Sequence, residues 1–290
     1  MPNIKPTQSG KAWEYGLARK CANILQIRLT QNSARDKAQC LYNQFSPAEQ
    51  RKIDKAAEQA IHFLCHYDKR LKNAQHMTMQ SDARGRCGDV RDILVAMNSS
   101  ETIGISAKHR HKALKHSRLS EKIDFGKEWY GVQCSQNYWQ AIEPVFKKLR
   151  EPLGQKWSDL SDKENSVYIP ILQAFIREVK EYAVAAEMMK YLLGKNDFYK
   201  IIKENGNISI QSFNMYNTLK WGKRLNLPSR IIETALKPNS KNTVFMVFDE
   251  GWQVSFRIHN ARTAIEPSLK FDINLKGHPN KLTSHSIPYG

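Results

Sequence analysis

The chain has 290 residues, 45 lysine or arginine against 28 aspartate or glutamate, giving a formal net charge of +17 at pH 7. With 41% hydrophobic and 25% charged residues, it has the composition of a folded globular protein with a sizeable core, which excludes a disordered tail. A pI near 9.6 points to an acidic partner, nucleic acid first and an anionic membrane surface second.

The N-terminus, MPNIKPTQSGKAWEYG, has no apolar signal core, and no run reaches the roughly 18 apolar residues of a membrane span. From Gly10 to about Leu29, the spacing of Trp13, Leu17, Cys21, Ile24 and Leu25 predicts a helix. Ser46, Pro47 and Glu49 open a second helix as N-cap, first helical residue and capping-box partner. Its apolar stripe is Ile53, Ala56, Ala57, Ala60, Ile61 and Leu64. A Gly- and Arg-rich loop, Asp82 to Gly88, precedes a strand over 90–97. The turn Asn98-Ser99-Ser100 joins that strand to a hairpin partner over 102–108. A basic segment, His109 to Arg118, leads into a helix; 137–151 and 164–193 are helical by period; 243–275 alternates as strands around an Asp-Glu-Gly turn. Cys21, Cys40, Cys65, Cys87 and Cys134 form no CxxC pair, which suits a reducing, cytosolic setting better than a disulfide framework. The order of elements predicts an α/β or α+β fold.

The hairpin is the segment with chemistry in it. A carboxylate on one strand and a lysine on its neighbour are the minimum of a metal-dependent phosphodiesterase. The carboxylate holds Mg²⁺ beside the scissile phosphate, and the lysine orients the attacking water and offsets developing charge. Magnesium prefers oxygen ligands and keeps several waters, so one or two carboxylates suffice. The candidates are Asp89 and Asp92, with Lys108 opposite. If Asp92 pairs directly with Lys108 the two share a face; a slip of one residue changes the parity and gives that face to Asp89. Asp92 is closer to Lys108 in either register and ranks first.

These residues resemble the PD-(D/E)XK nuclease superfamily, with Ser106-Ala107-Lys108 standing where (D/E)-x-K is usual. The serine variant of that pattern implies a second carboxylate from elsewhere, and Glu121, beyond Lys108, matches a glutamate returned to the site by a following helix. Glu14, on the first helix, resembles a supporting glutamate of the superfamily. GDVRDI (88–93), IGISAKHRHKALKHSRLS (103–120), DFGKEW (124–129), YLLGKNDFYK (191–200), GWQVSFRIHNA (251–261) and EPSLKFDI (266–273) together resemble the HaeIII family of type II restriction endonucleases, from about Gly10 to Ile273. The resemblance implies a Mg²⁺-dependent enzyme with no small-molecule cofactor. It would cut double-stranded DNA at GGCC to blunt ends, as a homodimer in the cytoplasm of a prokaryotic cell. It also implies a nuclease core with a mixed central sheet flanked by helices. The organisation expected is an N-terminal helical region (1–80), a catalytic core (81–200) and a β-rich C-terminal region contacting DNA (201–290), or a single domain.

Blander readings stand beside each residue. Asp89, Asp92 and Lys108 are also what a solvated surface hairpin carries; Glu121 is also an ordinary exposed glutamate, and Glu14 also a helix-dipole partner. Alternating His109, His111 and His116 invite zinc, but Arg110, Lys112 and Lys115 interleave them without a fourth ligand, which favours contact with the DNA backbone by these residues and Arg118. His109 is also a candidate for catalytic support. Arg257, His259, Asn260, Arg262 and Lys270 are candidate DNA contacts, arginine being the reader of guanine, or else a basic strand edge. Trp252, Phe256 and Phe271 read as core. The competing functions are a structure-selective repair nuclease with the same chemistry and an inactive DNA-binding protein.

Overall fold

The computed structural model describes residues 6–81, 88–98, 100–109 and 113–289. The chain is a mixed α+β protein that divides into two units, each assembled from separate stretches: Met1–Lys112, Gly194–Leu225 and Lys281–Gly290 in the first, Ala113–Leu193 and Asn226–Asn280 in the second. The units cut across the consecutive 1–80, 81–200 and 201–290 segments expected above. The reason is connectivity: the chain leaves the first unit's sheet after β4, builds one strand and the helices of the second unit, returns for two strands, leaves again for the second sheet's other four, and returns for the last.

In the first unit, helix α1 (Pro6–Leu25) buries Trp13, Leu17 and Cys21 on one face, as their spacing requires. Helix α2 (Ser33–Asn43) follows, then α3 (Pro47–Tyr67), whose capping box forms as expected: Ser46 N donates to Glu49 Oε2 at 3.0 Å and Glu49 N to Ser46 Oγ at 3.3 Å. The α1 backbone can approach α3 because Gly16 has no Cβ, which would collide with Ile53. These helices share a core with one face of a seven-stranded sheet, in the order β1 (Arg28–Leu29), β2 (Ala74–Met79), β3 (Ile93–Met97), β4 (Thr102–His109), β6 (Phe198–Lys203), β7 (Asn207–Phe213) and β12 (Thr283–Pro288). Pairing is antiparallel except for β1 with β2 and β4 with β6. Ile93, Val95 and Met97 on β3 and Ile103, Ile105 and Ala107 on β4 face that core. The even-numbered positions therefore project from the opposite face.

The second unit has an antiparallel five-stranded sheet, ordered β5 (Ala113–Leu119), β11 (Leu269–Gly277), β10 (Gln253–His259), β9 (Thr243–Phe248) and β8 (Ile231–Leu236). Its helices are α4 (Phe125–Tyr130), α5 (Gln136–Arg150), α6 (Ile169–Tyr182) and α7 (Ala185–Leu193). Phe125, Trp129, Phe175, Phe256 and Phe271 form one buried aromatic cluster, with Trp129 stacked on Phe256 at 6.0 Å. Trp252, Phe256 and Phe271 are fully buried, the core role expected of them. Between β9 and β10 the Asp-Glu-Gly turn puts Glu250 and Gly251 at φ 58° and 85°, a left-handed bend that glycine tolerates best.

The basic segment after the hairpin differs from expectation. Ala113–Leu119 is a strand, and helix begins only at Phe125. Buried Ser117 and Leu119 alternate with exposed His116 and Arg118, a period of two. The unpaired edge of β11 fixes the segment as a strand. Among the described residues no helix is long and apolar enough to cross a membrane. Cys21, Cys40, Cys65 and Cys134 are free thiols, and Cys87 lies outside the described residues.

Candidate active site

Strands β3 and β4 pair Ile93 with Ile105 and Leu94 with Gly104. One residue earlier, Asp92 N donates to Ile105 O at 2.9 Å, so Asp92 lies across from Ser106, with Lys108 two positions further along β4. This is neither register considered from the sequence. A slip of two residues nevertheless preserves the face, so Asp92, Ser106 and Lys108 project together. Asp92 Oδ2 accepts from Lys108 Nζ at 2.9 Å, Ala107 N at 2.8 Å and Ser106 Oγ at 3.2 Å. Its other oxygen, Oδ1, accepts no hydrogen bond among the described residues. Serine in place of the usual acid thus acts as a donor to Asp92, where a second carboxylate would repel it.

Helix α1 brings Glu14 to the same centre. Its side chain is buried and accepts from Lys11 Nζ at 2.7 Å, one helical turn away. Burial and then the charge of Asp92 raise the Glu14 pKa to about 7, against the opposing pull of Lys11 and Lys108. Two carboxylates that repel each other, one with an open oxygen and one short of compensating charge, are a donor set suited to a hard divalent cation. Among the described residues no three His, Cys, Asp or Glu side chains gather as a ligand set. His109 Nδ1 lies 3.0 Å from Ser9 Oγ near the start of α1.

Asp89 is engaged differently. Arg91 holds it through Nε and Nη2, both at 2.7 Å, and Gln80 Nε2 donates at 2.9 Å. Burial opposes its ionisation, but these hydrogen bonds outweigh that and hold the Asp89 carboxyl below the usual carboxylate range. Glu121 stands in the turn between β5 and α4, not on a helix, and accepts from Arg150 Nη1 at 2.9 Å within the second unit.

The candidate DNA contacts divide in the same way. Arg110, His111 and Lys112 lie outside the described residues. Lys115 packs over the Tyr191 ring at 3.5 Å and donates to its carbonyl. Asn260 is committed to its own loop, donating to Arg262 O and Ala264 O at 2.6 Å. Arg118 and Arg262 both reach Glu266. His116, Arg257, His259 and Lys270 converge on Asp272, which the sequence reading did not single out. Lys11 and Lys200 were missed as well. Lys200 is buried beside Ser106 in the β4–β6 pairing, on the Asp92 face, and only the non-local register reveals it.

The family model for the HaeIII restriction endonuclease matches residues 10–279. The type II restriction enzyme HaeIII of Haemophilus aegyptius is 41% identical over 313 aligned positions, covering 98% of each chain. No solved structure matches. A match across nearly the whole chain, by both model and relative, shows that the chain belongs to the HaeIII restriction endonuclease family and is a type II site-specific deoxyribonuclease.

Proposed function

We propose that this restriction endonuclease hydrolyses double-stranded DNA at GGCC in a Mg²⁺-dependent reaction, leaving blunt ends. Its centre is of PD-(D/E)XK type, built from Asp92, Lys108 and Glu14. The observation that carries the reading is the Lys108 ammonium 2.9 Å from Asp92 Oδ2, with Glu14 close enough to feel the charge of Asp92. Asp92 and Glu14 would hold the metal, which when bound supplies Lewis-acid polarisation of the phosphate and relief of carboxylate repulsion. Lys108 positions the water, whose oxygen bonds to phosphorus as one P–O ester bond breaks and a proton passes to the leaving oxygen. Its charge also offsets the negative charge that builds on the phosphoryl oxygens. Ser106 and the Ala107 amide fix the Asp92 carboxylate so that this geometry exists before substrate arrives.

A palindromic target suits two copies related by a two-fold axis, one centre per strand, in the cytoplasm of a prokaryotic cell. The net charge of +17 supplies the salt-sensitive, sequence-blind part of the hold on DNA. Incubation of long duplex DNA with the protein and Mg²⁺ tests the reading. Discrete blunt fragments ending in GG and CC, lost on chelation, are expected. A smear, or cutting confined to forks and gaps, contradicts it.

A further inference from the structure

The solvent face of the second unit's sheet has an arrangement that phosphate binding alone does not account for. Cross-strand pairing puts His116, Asp272 and Arg257 in one row over β5, β11 and β10, and Arg118, Lys270 and His259 in the next. Around the Asp272 carboxylate, His116 Nδ1 lies at 2.8 Å, His259 Nε2 at 3.0 Å, Arg257 Nη2 at 3.1 Å and Lys270 Nζ at 3.6 Å. Arg257 is the most open member, its side chain 56% exposed, while Asp272 at the centre is 19% exposed. Burial opposes ionisation of Asp272, but the charges of His259, Lys270 and His116 hold its pKa down to about 2, so it is an acceptor at any working pH.

A patch meant only for phosphates gains nothing from a carboxylate at its centre, which repels the backbone it must hold. A carboxylate beside a guanidinium does match a base-pair edge. In the major groove guanine presents two acceptors, N7 and O6, and its cytosine partner presents the N4 amino donor alongside. Arg257 offers paired donors and Asp272 an acceptor, adjacent on neighbouring strands and already aligned by their own 3.1 Å contact. β-strand faces do enter the major groove in known readers.

We infer that Arg257 and Asp272 read one guanine·cytosine pair of the target, Arg257 donating to guanine and Asp272 accepting from cytosine N4. The inference rests on the GGCC reading above and adds where that sequence is recognised. Arg118, Lys270 and His259, in the adjoining row, face the flanking phosphates.

The test is a coupling experiment on short GGCC duplexes in which 7-deazaguanine, lacking the N7 acceptor, replaces each guanine in turn. One such replacement is expected to slow wild-type single-turnover cleavage by about 5- to 150-fold, the range for a lost bidentate contact. Arg257→Ala is expected to lose as much on the unmodified site and nothing further on that analogue. Asp272→Ala, which removes the acceptor, is expected to lose its sensitivity to pyrimidin-2-one in place of cytosine. Thermal melts check that both variants fold. Losses that multiply independently, or weakened binding that is equal on duplexes without the site, would make these residues phosphate contacts and overturn the inference. Wild-type protein that ignores unmodified GGCC overturns the parent reading as well.

Discussion

Lys108→Ala is expected to reduce single-turnover cleavage by at least about 10²–10³-fold, the cost of removing one charge-stabilising donor from a preorganised site, while duplex affinity in Ca²⁺ stays within about threefold of wild type. Lys108 supplies one of 45 lysine and arginine charges, so its contribution to non-specific binding is small. Its ammonium is hydrogen-bonded to Asp92 Oδ2, where the other donors, Ser106 Oγ and Ala107 N, carry no charge. Lys108→Arg keeps the charge but not the compact ammonium, so rescue is expected to be poor. A drop in binding that matched the drop in cleavage would make Lys108 a phosphate contact instead.

Glu14→Gln is expected to abolish cleavage, by about 10²-fold or more, yet to stabilise the metal-free protein at alkaline pH. The sign follows from its raised pKa. An unfolded chain ionises Glu14 near its ordinary value of 4.5 and the folded chain at about 7. Between those values the native state binds a proton that the unfolded state has released, so stability attributable to this group falls as pH rises through the window. Glutamine carries no such cost, and the variant should melt higher than wild type at pH 8 by an amount on the order of 1–3 kcal/mol, with no gain at pH 4. Glu121→Gln breaks the pair with Arg150 on the surface of the other unit and should leave cleavage within a few-fold. If Glu121→Gln were inactive and Glu14→Gln active, the second carboxylate would belong to Glu121.

Much of the candidate centre is legible in the sequence because strand parity is robust. The β3–β4 hairpin was expected but its register was not, and a slip of two residues leaves Asp92 and Lys108 on one face. Local pattern also located the capping box of α3 and the stripe of α1, where period and cap chemistry agree. It failed where tertiary pairing decides. The stretch Ala113–Leu119 is polar and short, and only pairing with β11 makes it a strand. That pairing also puts Glu121 in the other unit from Lys108, because the segment between them joins a different sheet. Glu14 was visible through family resemblance and not through any local signal, since nothing near Gly10 announces which strand α1 will cover. The Asp272 cluster joins residues from 116 to 272 through three strands, and no window of sequence contains it.

The proposed centre at Asp92 in the first unit accounts for hydrolysis only if its carboxylate is indispensable. The decisive measurement is single-turnover cleavage of a GGCC duplex by Asp92→Asn and by Asp89→Asn, with Mg²⁺ and at matched folded fractions. Asp92→Asn is expected to lose cleavage by about 10²-fold or more, and the folded Asp89→Asn protein to cleave near-normally, since the Asp89 carboxylate serves Arg91 and Gln80. Active Asp92→Asn beside inactive, folded Asp89→Asn would contradict the assignment to Asp92.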